Sequence, residues 1–109
     1  MATQSGETPL LDLLASMNAS SIESTNLDSR SLMLVRIAAL VAVDAPPASY
    51  MLNLGAAGEL GVTGEEVEGL LAGVAPIVGT SRIVSALGKL MRASDLKLEL
   101  GELDQYIEG

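Results

Sequence analysis

The stretch Asp44–Gly73, DAPPASYMLNLGAAGELGVTGEEVEGLLAG, decides the fold because it carries the signals for two helices joined by a short turn. Pro46–Pro47 suits a helix start, where a first-turn residue needs no N–H donor. Gly61 suits a helix end, because glycine adopts the left-handed conformation at little cost. Thr63 then caps a second helix, and Glu66 three residues later completes a capping box. The stretch therefore predicts a helical hairpin.

Apolar residues at helical spacing predict further helices around this hairpin. Thr8 and Pro9 mark the start of a first helix as cap and first-turn residue. Residues 18–26 are rich in Ser, Thr and Asn, which bond to the local backbone in competition with helix, and they are predicted to be a loop. The helix over residues 29–43 is apolar nearly all round beyond Ser31, which is typical of a central position. The last clear helix spans residues 81–92, so the fold class is all-α with five or six short helices.

The chain divides into a single helical domain over residues 8–93 and two short ends. Within the domain, Pro76 is expected to end or kink the helix that begins at Gly64. Residues 1–7 are polar and are predicted to be a flexible N-terminus. The tail, residues 94–109, fits strand and helix spacing alike; we favour a helix that packs on a neighbouring subunit.

Composition limits the partners that the chain can have. Apolar residues make up 49% of the 109 residues, on a body too small to bury them all, which favours a homo-oligomer. Six basic residues against fourteen acidic ones give a net charge of −8, which disfavours nucleic acid and anionic membrane surfaces as partners. No apolar run is long enough to span a bilayer, and the start, MATQSGE, is not typical of a signal peptide. The expected location is cytoplasmic.

Neither cysteine nor histidine occurs in the chain. This excludes a disulfide, a thiolate nucleophile and an imidazole or thiolate metal ligand, so no metal and no cofactor are predicted. Glu65, Glu66 and Glu68 lie in the first turns of a predicted helix, where negative charge stabilises the helix dipole. That role explains them better than a carboxylate metal site.

The hairpin and the helix before it resemble the carboxymuconolactone decarboxylase / alkyl hydroperoxidase D (AhpD) family. The resemblance covers about residues 28–90 and is carried by NLGAAGELGVTGEEVEGLL, from residue 53, and APIVGTSRIVSAL, from residue 75. It implies the family's all-α fold and a homo-oligomer. In the peroxidase branch, the first hairpin helix holds a Cys-x-x-Cys-x-x-x-His motif. Those three positions fall here on Pro46, Ser49 and Asn53, none of which supports thiol redox chemistry.

A small anionic ligand is the remaining possibility for a site. Ser49 and Asn53 share one helical face and are able to hydrogen-bond a ligand. Arg36 is the single charge in the apolar part of the central helix, beyond Ser31, and Arg82 lies in the first turn of its helix, where a cation opposes the dipole. Both arginines are candidates for binding an anion, as the decarboxylase branch binds its lactone acid. The alternatives are a solvated Arg82 and, for Arg36, a buried ion pair with a carboxylate, Glu59 being favoured over Asp44.

Three functions are consistent with these residues. The first is an oligomeric accessory or small-ligand-binding protein without redox cysteines, which we favour. The second is a cysteine-independent lyase or decarboxylase acting on a small organic acid, which would need an unusual base because histidine is absent. The third, the family's peroxidase activity, is disfavoured by the missing thiols.

Overall fold

The structure, a computed structural model, describes residues 8–93, and every regular element in that range is a helix. The helices are α1 (Pro9–Ser24), α2 (Ser29–Ala42), α3 (Pro47–Glu59), α4 (Gly64–Val78) and α5, which runs from residue 80 to 93, where the described part ends. The all-α prediction is thus confirmed for this range. The predictions made for residues 1–7 and 94–109 lie outside the described residues.

Helix α2 is the centre of the domain, as its apolar sequence predicts. Asp28 caps its first turn by accepting a hydrogen bond from the Ser31 N–H at 2.8 Å. The helix packs against both α3 and α4. Ile37 and Val41 are fully buried on α2, and each belongs to one of two neighbouring apolar clusters. Half-buried Leu54 packs against both clusters, which joins them into one aliphatic core.

Helices α2 and α3 end in the same way, by a Schellman motif. After α3, the Val62 N–H bonds the Ala57 carbonyl at 3.0 Å, and Gly61 adopts a left-handed φ of 83°. The predicted role of Gly61 is therefore confirmed. After α2, the Ala45 N–H bonds the Leu40 carbonyl at 3.0 Å, and the left-handed position is held by Asp44, with φ 54°. An aspartate tolerates this conformation better than most residues but less well than glycine.

Helix α4 begins as predicted, and of the two outcomes expected at Pro76 the structure excludes a helix end. The Thr63 hydroxyl accepts from the Glu66 N–H at 3.2 Å, and the Glu66 carboxylate accepts from the Thr63 N–H at 3.0 Å, which is a complete capping box. Pro76 does not end the helix, which continues to Val78. Proline removes only the bond to the carbonyl of Ala72, and that residue is exposed, so water is able to replace the lost donor.

Helix α1 differs most from its prediction. The polar stretch 18–24, predicted as loop, continues the helix, and only residues 25–28 connect it to α2. No residue of α1 is buried, although its first half carries several large apolar side chains. Tertiary bonds from α2, described below, outweigh the local preference of Ser and Asn for turns. In the described range, no helix has both the length and the apolar character needed to cross a membrane.

Candidate functional site

The first turns of α3 hold Pro46, Ser49 and Asn53, the three positions on which the predicted resemblance places a redox motif. Pro46 is the N-terminal cap of α3, and its carbonyl accepts from the Ser49 N–H at 3.1 Å. One turn later, the Asn53 side-chain Nδ2 donates to the Ser49 carbonyl at 2.8 Å. The predicted common face of Ser49 and Asn53 is therefore present. This bond uses one of the two N–H groups of Asn53 Nδ2, and Oδ1 remains able to accept a hydrogen bond from a ligand.

Arg36 extends from α2 towards α1. One terminal nitrogen of its guanidinium donates to Asn18 Oδ1 at 2.6 Å, and the other donates to Ser21 Oγ at 3.0 Å. Both acceptors are neutral. The favoured ion pair with Glu59 is wrong. Asn18 and Ser21 were not predicted as partners of Arg36, because residues 18–26 were predicted to be a loop rather than part of a helix beside α2.

Asp44, the other proposed partner for Arg36, is bonded elsewhere. Its Oδ1 accepts from Lys89 Nζ at 2.8 Å and from Ser85 Oγ at 2.7 Å, and Lys89 also donates to the Asp44 carbonyl at 3.2 Å. These bonds, Lys89 first and Ser85 second, lower the pKa of the Asp44 carboxyl. The cluster fixes the α2–α3 turn to α5. The spacing of Ser85 and Lys89, four residues apart on one helix, was the sequence signal for it.

A cleft of about 450 Å³ lies where α1, α2 and α3 meet. The polar side chains in its wall are those of Asn18, Arg36 and Asn53. The remaining lining is apolar and consists of Ile22, Met33, Leu40, Leu52 and Ala56. A cleft of this size with a few convergent polar groups on apolar walls has the usual character of a small-molecule site. It brings together two of the four predicted ligand residues, Arg36 and Asn53, and adds Asn18.

The other two predicted ligand residues do not line this cleft. Ser49 is half-buried and contributes through its carbonyl, which holds the side chain of Asn53. Arg82 is exposed on the first turn of α5, where its charge contributes weakly to lowering the pKa of Asp44. The predicted pocket of four residues is therefore divided between the cleft and the start of α5.

Of the three glutamates near the start of α4, Glu66 has the structural role that the sequence predicts. Glu66 binds Arg30 of α2 in addition to capping α4, and these bonds, Arg30 first, lower the pKa of Glu66 to about 2. Within residues 8–93, no three acidic side chains are grouped so that they could hold a metal ion. The ion pair also ties the start of α2 to the start of α4, which supports the central packing.

Comparison with known proteins gives no match for this chain among family models, curated proteins or solved structures. The resemblance to the carboxymuconolactone decarboxylase / AhpD family therefore stays a prediction from the residues quoted above.

Proposed function

We propose that this protein is a homo-oligomeric member of the carboxymuconolactone decarboxylase / AhpD family that lacks redox cysteines and binds a small organic anion in the cleft between α1, α2 and α3. The observation that carries the proposal is the bonding of Arg36. Its positive charge lies at the cleft, and among residues 8–93 its hydrogen-bond acceptors are the neutral side chains of Asn18 and Ser21, with no carboxylate in an ion pair with it. In a chain of net charge −8, such an uncompensated cation is a natural position for an anionic ligand.

The geometry of the guanidinium suits a carboxylate. Arginine has five N–H donors in a planar fork, and the bonds to Asn18 and Ser21 use two of them. The remaining donors are able to bind a carboxylate through charge-assisted hydrogen bonds. Asn53 adds an acceptor for a hydroxyl on the ligand, and the apolar wall, which includes Met33 and Leu52, accommodates a hydrocarbon or aromatic body. The ligand class is therefore a small monocarboxylate with an apolar body.

Binding is favoured over catalysis by the residues that line the cleft. No Asp, Glu, Lys or Tyr of the described residues is among them. A lyase or decarboxylase needs a group that moves a proton or stabilises a carbanion, and neither Asn18 nor Asn53 exchanges a proton near neutral pH. Thiol peroxidase chemistry has no nucleophile in a chain without cysteine.

Calorimetric titration with benzoate tests the proposal, with benzamide as the neutral analogue. We expect benzoate to bind and benzamide to bind at least tenfold more weakly. Arg36→Met should weaken benzoate binding by about 10- to 150-fold, which corresponds to the loss of about 1.5–3 kcal/mol from hydrogen bonds to a charged group. Arg82→Met, which removes an equal charge outside the cleft, is the matched control and should leave the affinity unchanged.

Arg36→Met should also leave the protein folded. Asn18 and Ser21 are neutral and exposed, so water is able to replace the arginine, and the change does not strand a buried carboxylate. Circular dichroism and the melting temperature of the unliganded variant check this. Equal benzoate affinity in the parent and in Arg36→Met would overturn the proposed site, and so would a larger loss of affinity in Arg82→Met.

A further inference from the structure

We infer that Asn18 determines the charge selectivity of the cleft. Its neutral amide leaves the charge of Arg36 available to a ligand carboxylate, and its Nδ2 group donates a further hydrogen bond to that carboxylate. This role rests on the proposed function, which it deepens by naming the residue of the anion site that decides which ligands are accepted. Two observations carry it: the orientation of the Asn18 amide, and the different partners of the other cations.

The orientation of the Asn18 side chain is fixed by Arg36. A guanidinium has donors and no acceptor, so the amide presents Oδ1 to it, and Nη1 of Arg36 lies 2.6 Å from this oxygen. The two N–H donors of Asn18 are therefore at the other end of an amide that lines the cleft. Ser21, the second acceptor of Arg36, does not line the cleft. Among the residues of α1, Asn18 alone bonds Arg36 and also has donors to offer a ligand.

Two other cations of the described range are bonded to carboxylates. Arg30 pairs with Glu66. Lys89 pairs with Asp44 at 2.8 Å. At Arg36 the partner is an amide, which has the shape of a carboxylate but carries no charge. An aspartate in its place would make a stronger, charge-assisted bond. The neutral residue therefore gives up binding strength between α1 and α2 and keeps the positive charge in the cleft wall uncompensated, as an anion site requires.

The resulting set of donors selects a carboxylate over a neutral amide of the same shape. Both oxygens of a carboxylate accept hydrogen bonds, and the guanidinium of Arg36 and Nδ2 of Asn18 only donate them. A primary amide such as benzamide has one oxygen, and its NH₂ group would face these donors without an acceptor. Asn18 thus contributes an attraction for the carboxylate and a mismatch against the amide, and selectivity requires both.

Asn18→Asp tests this role with almost no change in shape. The substitution keeps the oxygen that accepts from Arg36, replaces both N–H donors by an acceptor and adds a negative charge. In calorimetric titrations the parent should prefer benzoate to benzamide by at least about tenfold, and Asn18→Asp should bring this ratio to about one or below, because the cation is neutralised. Ser20→Asp adds the same charge to α1 at an exposed position that does not line the cleft. This matched control should keep the ratio of the parent.

The stability of unliganded Asn18→Asp separates a change in selectivity from a loss of fold. The variant gives Arg36 a carboxylate partner, so its melting temperature should equal or exceed that of the parent, with helicity retained in circular dichroism. A lower melting temperature would overturn the contact between Arg36 and residue 18 on which the inferred role depends.

Two alanine variants separate contact with the ligand from positioning of Arg36. Asn18→Ala and Ser21→Ala each remove one acceptor of the guanidinium, but Asn18→Ala alone also removes donors from the cleft wall. Asn18→Ala should weaken benzoate binding by about 2- to 10-fold, the equivalent of one net hydrogen bond, and Ser21→Ala should weaken it less. An equal loss in the two variants would overturn the bond from Asn18 Nδ2 to the ligand.

The titrations also distinguish a failure of this role from a failure of the proposed anion site. If Arg36→Met loses benzoate binding while Asn18→Asp keeps the selectivity of the parent, the role of Asn18 is overturned and the site stands. If the parent does not bind benzoate saturably, or if both variants bind it as the parent does, the site is overturned and the role of Asn18 with it.

Discussion

The hydroxyl group of Tyr50 is buried without a hydrogen-bond partner in the described chain. The tyrosine is fully buried in the first turn of α3, among Val41, Leu71 and Leu90. Burial, and to a smaller degree the charge of Asp44, raises the pKa of this phenol, so the group stays protonated and neutral. A buried donor without a partner costs free energy, because its bonds to water are lost and not replaced.

Tyr50→Phe should therefore leave stability unchanged or raise it, by up to about 1–3 kcal/mol, because it removes the unsatisfied hydroxyl and keeps the ring. Tyr50→Ala is the control and should destabilise by about 3–5 kcal/mol, since it opens a cavity in the core. Urea unfolding at neutral pH measures both. A Tyr50→Phe variant that is less stable than the parent by 1 kcal/mol or more would contradict this description and would indicate that the hydroxyl has a bonding partner in the native protein.

For individual residues, the sequence correctly predicted one part of the candidate site, the face shared by Ser49 and Asn53. The common face of Ser49 and Asn53 follows from helical spacing, which sequence reveals directly, and the structure retains it. The partners of Arg36 were not predictable in this way. Asn18 and Ser21 lie 18 and 15 residues before it, and only the packing of one helix beside another brings them together.

Helix starts and ends were predicted correctly where the helix end itself requires a particular type of residue. The capping box of Thr63 and the left-handed Gly61 are local signals and both were correct. The second half of α1 was missed, because tertiary bonds decide it, and the prediction that Pro76 ends or kinks α4 left open whether the helix continues past it. Local propensity does not record tertiary bonds.

Two glycines in this hairpin should respond oppositely to alanine. Gly61 has φ 83°, which an alanine adopts only with strain, so Gly61→Ala should destabilise by about 1–2 kcal/mol. Gly73 lies within α4, where an added Cβ would meet no atom within 4 Å. Gly73→Ala should therefore stabilise by about 0.5–1 kcal/mol through the higher helix propensity of alanine. Thermal or urea unfolding gives both values, and the same sign for the two variants would contradict the assigned helix ends.

For the molecule as a whole, the net charge and the exposed apolar surface both favour the proposed assembly with anion sites. The domain has an apolar core around α2, and large apolar side chains remain exposed on α1 and α5. A net charge of −8 makes copies of the chain repel one another except where their apolar surfaces meet. Among the described residues of the cleft wall, Arg36 is the single cation, and no carboxylate in the described range pairs with it. We therefore expect an assembly whose anion sites lie at the clefts, beside the attachment point of each α1.

The most direct test of the proposed anion site follows individual side chains of the protein in solution. In an NMR titration with benzoate, the Nε–H signal of Arg36 and the side-chain amide signals of Asn18 and Asn53 should shift along one saturation curve, while the Nε–H signal of Arg82 stays in place. This result is expected because a bound carboxylate changes the hydrogen bonding of the guanidinium and of its neighbours in the cleft wall. Saturable benzoate binding that leaves the Arg36 signal unmoved, or that moves the Arg82 signal instead, would contradict the account.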